Sequence, residues 1–195
     1  MVYVLFAEGF EEVEALTVVD VLRRAEMDTK MVSVKADNTV TGSHNISVVC
    51  DINIKDVCYD DISAVIFPGG IPGTPNLKAS NEVKKLTDYA YQNNKYIGAI
   101  CAAPSVFADW GYLKGKKATA NPYFMDKLPG ARALKKRVVC DGKIITSRAA
   151  GTACEFALEF VIRQIYPSVI LGAAYANDVV FLRVDRHSGE MILVR

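Results

Sequence analysis

Val2–Phe6 is an apolar run that passes through Ala7-Glu8-Gly9 into a stretch where Val13, Leu16, Val19, Leu22 and Ala25 recur every three residues. That order predicts a strand, a tight turn and a helix. Met31–Val34 and Ile46–Cys50 are strand candidates, and Ala64–Phe67 is an apolar run of the buried type, stopped by Pro68-Gly69-Gly70. Ser80 or Asn81 is placed to cap a helix with Val83, Leu86 and Ala90 on one face. Tyr96–Ile100 reads as a further strand ending at Cys101, and a helix begins near Ala103-Pro104 because proline suits a first helical turn. Pro122–Lys127 reads as a short helix, Arg137–Cys140 and Ile144–Ser147 as a hairpin around Asp141-Gly142, and Thr152–Ile165 as an amphipathic helix.

Strands alternating with helices predict an α/β fold: a doubly wound, mostly parallel sheet with helices on both faces. The 195 residues hold no linker, repeat or low-complexity segment, so a single domain over 1–195 is expected. The tail 168–195 is open. Val179–Val184 and Met191–Val194, around His187-Ser188-Gly189, fit a hairpin, and Val169–Ala176 fits a helical turn or two.

Composition narrows the function classes. Lys+Arg 23 against Asp+Glu 22 gives a net charge of +1, with 51% hydrophobic and 23% charged residues. This is globular, not disordered, and carries no surplus of cations for phosphate neutralisation, so no nucleic acid partner is expected. No apolar run approaches the roughly 18 residues of a membrane span, and the first residues lack the basic start of a signal peptide. No membrane association and a cytoplasmic location are therefore expected. Cys50, Cys58, Cys101, Cys140 and Cys154 are odd in number and have no metal-ligand spacing. They predict free thiols, with neither disulfides nor a metal site. His44 and His187 are the two histidines, and both are expected at the surface.

In open α/β sheets ligands bind beyond the carboxyl ends of the strands. Three segments stand there. Cys101, flanked by Gly98, Ala99, Ala102 and Ala103, fits a nucleophile on a strained strand-to-helix turn, and equally a small core cysteine. The other four cysteines lack that context and read as structural. Glu11, Glu12 and Glu14 compete as its acid/base partner. Glu11 and Glu12, in a first helical turn, are expected to face water, whereas Glu14 is drawn toward the sheet. Gly69-Gly70 offers paired N–H donors for an oxyanion, or simply a tight turn.

AEGFEEVEAL, VVDVLRRA, VIFPGG, GAICAAP and ITSRAAGTACEFAL, in that order, resemble the ThiJ/PfpI superfamily, in the branch of the Parkinson-linked redox sensor and reported protein deglycase. The likeness runs through about Ile165. It implies a flavodoxin-like sandwich and a homodimer in which the first helix contributes to the subunit contact. It also implies Cys101 as nucleophile, Glu14 in contact with it, and N–H groups of Gly69, Gly70 or Ala102 holding an oxyanion, without metal or cofactor. The implied activity is glyoxalase- or deglycase-like chemistry on a small aldehyde or glycated substrate. The alternative is an oxidative-stress sensor or chaperone working through oxidation of Cys101. The protease branch has a histidine directly after the nucleophile, so Ala102 disfavours a Cys-His protease. A related branch carries a histidine where Asn121 stands, which leaves proton transfer to Glu14 and predicts slow turnover. Two further expectations are a Glu14 protonated at rest beside a Cys101 thiolate, and an apolar surface on Val18, Val19 and Leu22 for a second subunit.

Overall fold

The computed structural model describes residues 1–165 and the backbone of two later strands, Phe181–Val184 and Met191–Val194. In chain order the elements are β1 (Val2–Phe6), α1 (Glu12–Arg24), β2 (Thr29–Ser33), β3 (Thr39–Thr41), β4 (Ser47–Val49), β5 (Ile52–Asn53), β6 (Ala64–Phe67), α2 (Gly73–Ala79) and α3 (Asn81–Gln92). They continue with β7 (Tyr96–Ile100), α4 (Pro104–Asp109), β8 (Lys117–Ala118), β9 (Arg132–Ala133), β10 (Val138–Asp141), β11 (Ile144–Ser147), α5 (Ala153–Ile165), β12 (Phe181–Val184) and β13 (Met191–Val194). Short 3-10 segments cover Ile54–Asp56, Pro122–Lys127 and Ala150–Thr152.

The main sheet runs β10-β11-β7-β6-β1-β2-β5. Every neighbouring pair is parallel except β10–β11, the predicted hairpin. Counting only the successive long parallel strands, the order is second, first, third, fourth, fifth, which is the flavodoxin-like winding. Side chains alternate across the sheet and build two cores. Val2, Val4 and Phe6 face α1 and α5 through Val18, Leu22, Phe156 and Phe160, while Tyr3 and Leu5 face the opposite side with Leu77, Leu86 and Phe107. Strands covered on both faces have no polar side to show, which is why β1, β6 and β7 read as unbroken apolar runs. Ser80 does cap α3, its hydroxyl accepting from the Val83 N–H at 3.3 Å.

Three expectations change. The strand expected over Ile46–Cys50 shrinks to β4 and pairs antiparallel with β3, as a hairpin separate from the main sheet. The buried face of α1 is not the three-residue series: Val13 is 52% exposed, while Ala15, Val18 and Leu22 are buried. Three residues fall about 60° short of a full helical turn, so a strict three-residue series drifts around the helix, whereas mixed steps of three and four stay on one face. Val18, Val19 and Leu22 are consequently spent on the protein's own core and offer no surface to a second subunit. The strands predicted near 179–184 and 191–194 pair antiparallel. The turn expected over 169–176 and His187 lie outside the described residues. Among the described residues no helix is long and apolar enough to cross a membrane.

Candidate active site

The carboxyl ends of β1, β6, β7 and β11 meet at one edge of the sheet, and the segments singled out from sequence leave from there. Cys101 follows β7 with φ 64°, a left-handed conformation that costs a side-chain-bearing residue about 1–2 kcal/mol. Both of its backbone polar groups are held from neighbouring segments: its N–H donates to Ser147 O at 3.0 Å, and its carbonyl accepts from the Asn121 N–H at 2.8 Å. The strained turn anticipated between strand and helix is therefore present, and it is imposed by tertiary contacts.

Glu14 reaches the same point from the first turn of α1. Its N–H donates to the Glu11 carboxylate at 2.7 Å, which makes Glu11 the helix cap. Its own carboxyl is buried, 1% exposed, and accepts the Gly69 N–H at 2.8 Å. It also hydrogen-bonds the Cys101 thiol and the Ala150 N–H. Gly69 has to be glycine here, because a Cβ would lie 2.6 Å from Glu14 Oε2 and 2.7 Å from Cys101 Cβ. Its N–H serves the carboxylate, which corrects its expected role as an oxyanion donor. Gly70, at φ +97°, lets this segment lie on the Gly9–Glu11 turn, where a Cβ would meet Glu11 N at 2.5 Å. That docking, with Glu11 N–H to Gly69 O at 3.0 Å and Gly73 N–H to Gly9 O at 3.0 Å, sets the start of α1 against the end of β6. It thereby sets Glu14 against Cys101.

Two more donors face the sulfur. The Ala102 N–H hydrogen-bonds it, and Asn121 Nδ2 lies 3.6 Å from Sγ, in the position anticipated for the missing imidazole. Burial pushes the Glu14 carboxyl up to about 7, against the lowering effect of its hydrogen bonds to Cys101 and Gly69. Burial, then the Glu14 charge, pushes the Cys101 thiol up to about 12. Desolvation and the neighbouring Glu14 charge thus both work against the resting thiolate expected from sequence, while Asn121 and the Ala102 N–H favour it. The following helix, α4, has only six residues, too short to bring much dipole to the sulfur. Acidity does not single out Cys101, since Cys140 is raised to about 11 and Cys50 to about 12, both mainly by burial. The adjacent carboxyl does. All five cysteines are unpaired.

Glu12 departs most from expectation. It is 4% exposed, because the turn joining β3 to β4 folds over the start of α1. Its carboxylate accepts the His44 N–H at 2.6 Å and the Ser43 hydroxyl at 3.2 Å, and pairs with His44 Nδ1 at 2.8 Å. Burial alone would raise it, yet the hydrogen bonds to the His44 ring and backbone hold it below the ordinary carboxylate range. His44 is at the surface as expected. Glu11, Glu12 and His44 bring ligand-type atoms within 4.8 Å of one another, but each is already engaged, so the cluster works as a clamp. Nothing in a linear pattern marks this contact between residues 12 and 44.

The DJ-1/PfpI family model matches residues 1–163. DJ-1 homolog B of Arabidopsis thaliana is 40% identical over 157 residues, covering 80% of this chain and 36% of that protein, so the chain spans little more than a third of that relative's length. A deglycase from Thermococcus kodakarensis is 29% identical over 163 residues, covering 82% of this chain and 96% of that one. Among solved structures, oxidized DJ-1 of Toxoplasma gondii superimposes with a TM-score of 0.80 at 35% identity, covering 85% of this chain and 90% of the other. The flavodoxin-like winding, the strained cysteine after the fourth long parallel strand and these likenesses agree: the chain belongs to the DJ-1/PfpI family.

Proposed function

We propose that this protein is a cysteine-dependent enzyme that needs no cofactor and acts on small α-oxoaldehydes or their protein adducts. Cys101 is the nucleophile and Glu14 the acid/base. The observation that carries the reading is the buried carboxyl hydrogen-bonded to a thiol on a strained turn, with a value of about 7, where a group both takes and returns protons at physiological pH. The deglycase among its relatives supports the same class.

In the first step the Sγ–C bond forms as the carbonyl π bond opens. The thiol proton passes to the Glu14 carboxylate, and the new oxyanion is held by N–H groups of Gly70 and Ala102 before Glu14 returns the proton to it. Glu14 next removes the former aldehyde hydrogen as a proton, giving an enediolate, the hydroxyl proton on the first carbon's oxygen passes to the neighbouring oxygen, and Glu14 delivers its proton to the neighbouring carbon. The aldehyde carbon is thereby oxidised to a thioester while the ketone carbon is reduced to an alcohol. Water cleaves the thioester, releasing the hydroxy acid and restoring the thiol, so methylglyoxal plus water gives lactate. Asn121 Nδ2 stabilises negative charge on sulfur but moves no proton, so turnover is slow.

A second reading rests on the donors that meet at Sγ, the Ala102 N–H and Asn121 Nδ2, together with a protonated Glu14. They suit a sulfenate or sulfinate, and the similar Toxoplasma protein is described as oxidized. The test is catalytic excess. Lactate formed in many equivalents per protein, and lost in Cys101→Ser and Glu14→Gln, is the expected result; peroxide consumed at one equivalent per Cys101 for a sulfenate or two for a sulfinate, with no lactate above background, defeats the enzyme and favours the sensor. Free thiols suit a reducing, cytoplasmic setting. Val13, Ile46 and Val49, all exposed on the first turn of α1 and around β4, suit a homodimer contact.

A further inference from the structure

Cys101 and Glu14 both lean on the segment that joins β11 to α5. Ser147, the last residue of β11, accepts the Cys101 N–H on its carbonyl at 3.0 Å, and the Ala150 N–H hydrogen-bonds the Glu14 carboxyl. Nucleophile and carboxyl therefore keep their relation only while residues 147–152 keep their shape. The 3-10 turn in that segment is closed by the Thr152 N–H donating to Ala149 O at 2.8 Å. Packing does not pin it at its centre, where a Cβ on Gly151 would meet nothing within 4 Å.

Side chains supply the hold that packing does not. Thr152, 6% exposed, folds its hydroxyl back on the turn, donating to Ala149 O at 2.8 Å and accepting the Ala149 N–H at 3.2 Å. The same oxygen lies 2.7 Å from the hydroxyl of Ser147, which is fully buried and also donates to Arg137 O at 3.0 Å. One hydroxyl thus fastens the turn carrying the Ala150 N–H to the residue whose carbonyl holds Cys101. From the solvent side, the Arg137 guanidinium donates to Gly151 O at 2.7 Å and pairs with Glu155 at 2.6 Å. Without the Thr152 hydroxyl, the Ala149 N–H and the Ser147 hydroxyl lose a partner that water does not replace at such depth, and the turn moves to regain one.

From these contacts we propose that Thr152 is a positioning residue of the active site: its hydroxyl locks the turn so that the Ala150 N–H stays on the Glu14 carboxyl while Ser147 O stays on Cys101. The titratable groups acting on Glu14 are Cys101, at the end of β7, and Glu11, ahead of α1; Gly69, after β6, and Ala150 bring N–H groups. Such donors favour the charged carboxyl, so losing the one from Ala150 makes Glu14 hold its proton more tightly. The consequence for turnover rests on the enzymatic reading above; the effect on Glu14 does not.

The experiment separates the two. With carboxyl-labelled glutamate, the Glu14 titration is followed by NMR in the absence of substrate, its resonance assigned by its loss in Glu14→Gln. In Thr152→Val, which keeps the side chain's shape, Glu14 should hold its proton about tenfold more tightly than in the wild type, as the loss of one hydrogen bond to a charged group gives. Thr152→Ser should restore the wild-type titration. In methylglyoxal turnover the rise of rate with pH should move upward in Thr152→Val, so that the deficit is greatest at and below neutral pH and shrinks well above it; Thr152→Ser should again restore the profile. A merely structural role would lower the rate at every pH and leave the titration in place. Arg137→Gln changes a mostly exposed side chain and should shift Glu14 in the same direction by about threefold, and it becomes the deciding variant should Thr152→Val not fold. A wild-type Glu14 titration in the deciding variant overturns the positioning role. Tighter proton binding there with no lactate from any variant, the wild type included, supports the positioning role and overturns the enzymatic reading.

Discussion

Glu12 and Glu14 stand two residues apart on the first turn of α1, both buried, and their carboxyls respond in opposite directions. Burial would raise Glu12, but the His44 ring and the backbone N–H groups of His44 and Ile46, in the turn between β3 and β4, hold it below the ordinary range. Glu14 is raised to about 7, because its hydrogen bonds do not offset burial beside a thiol and near the Glu11 charge. Both carboxyls have several donors, and what separates them is depth: Glu12 lies under a thin surface turn, where its donors outweigh desolvation, whereas Glu14 lies deep at the sheet edge, where desolvation outweighs them. One carboxylate is used up in holding a hairpin to the helix, and its neighbour is left close to neutrality with a proton it can exchange.

The largest expected effect is on chemistry. Glu14→Gln keeps the shape but removes the base, so conversion should fall about 100-fold or more. In the wild type the rate should rise with pH through about 7, as the carboxylate that accepts the thiol proton forms. Activity in Glu14→Gln with the wild-type pH profile would show that another group titrates.

Stability should follow next. The folded-state value of Glu14 is raised from 4.5 to about 7, so the native state holds this proton more tightly than the unfolded chain does. Below pH 4.5 there is no penalty; it grows as pH rises to about 7 and stays in full above. The rise corresponds to roughly 3 kcal/mol. Denaturant unfolding of wild type and Glu14→Gln at pH 4 and pH 8 should show the variant gaining up to that amount at the higher pH, and a constant difference would contradict the burial argument.

Glu12 should behave in the opposite sense. Its lowered value contributes stability above the ordinary carboxylate range that is lost as pH falls through its folded-state value. Glu12→Ala leaves the Ser43 and His44 donors without their acceptor and should cost about 2 kcal/mol at neutral pH by chemical denaturation. The smallest effect belongs to His44→Ala. The backbone N–H still reaches Glu12 and the lost ring is mostly exposed, so unfolding midpoints should barely move, while NMR titration should find the Glu12 carboxyl shifted upward.

β1, β6 and β7 were legible as strands with their observed boundaries, since buried parallel strands are apolar throughout and each is stopped by small residues or proline. The elbow was legible for a related reason: only small residues fit around a strained turn, and Ala102 and Ala103 announce it, whereas Gly98 is small because a Cβ there would lie 2.3 Å from Phe160 Cζ on α5. Glu14 could be preferred over its neighbours because it lies two or three residues deeper in the helix. Its distance from full ionisation could not be read, because that depends on Gly69, Ala150 and Cys101, which arrive from three other segments.

The amino-acid sequence by itself determined the order of strands and helices, the mostly parallel sheet that this alternation implies, the small residues that permit a tight turn at Cys101 and the carboxylates from which its partner would come. These follow from side-chain periodicity and steric permission along the chain, which are local properties. Only the tertiary structure decided that Gly69 serves Glu14, that Glu12 leaves water to clamp His44, and that Val18, Val19 and Leu22 are used up in the core. Each depends on which donors and apolar surfaces distant segments bring together, and desolvation and hydrogen bonding are set by those neighbours.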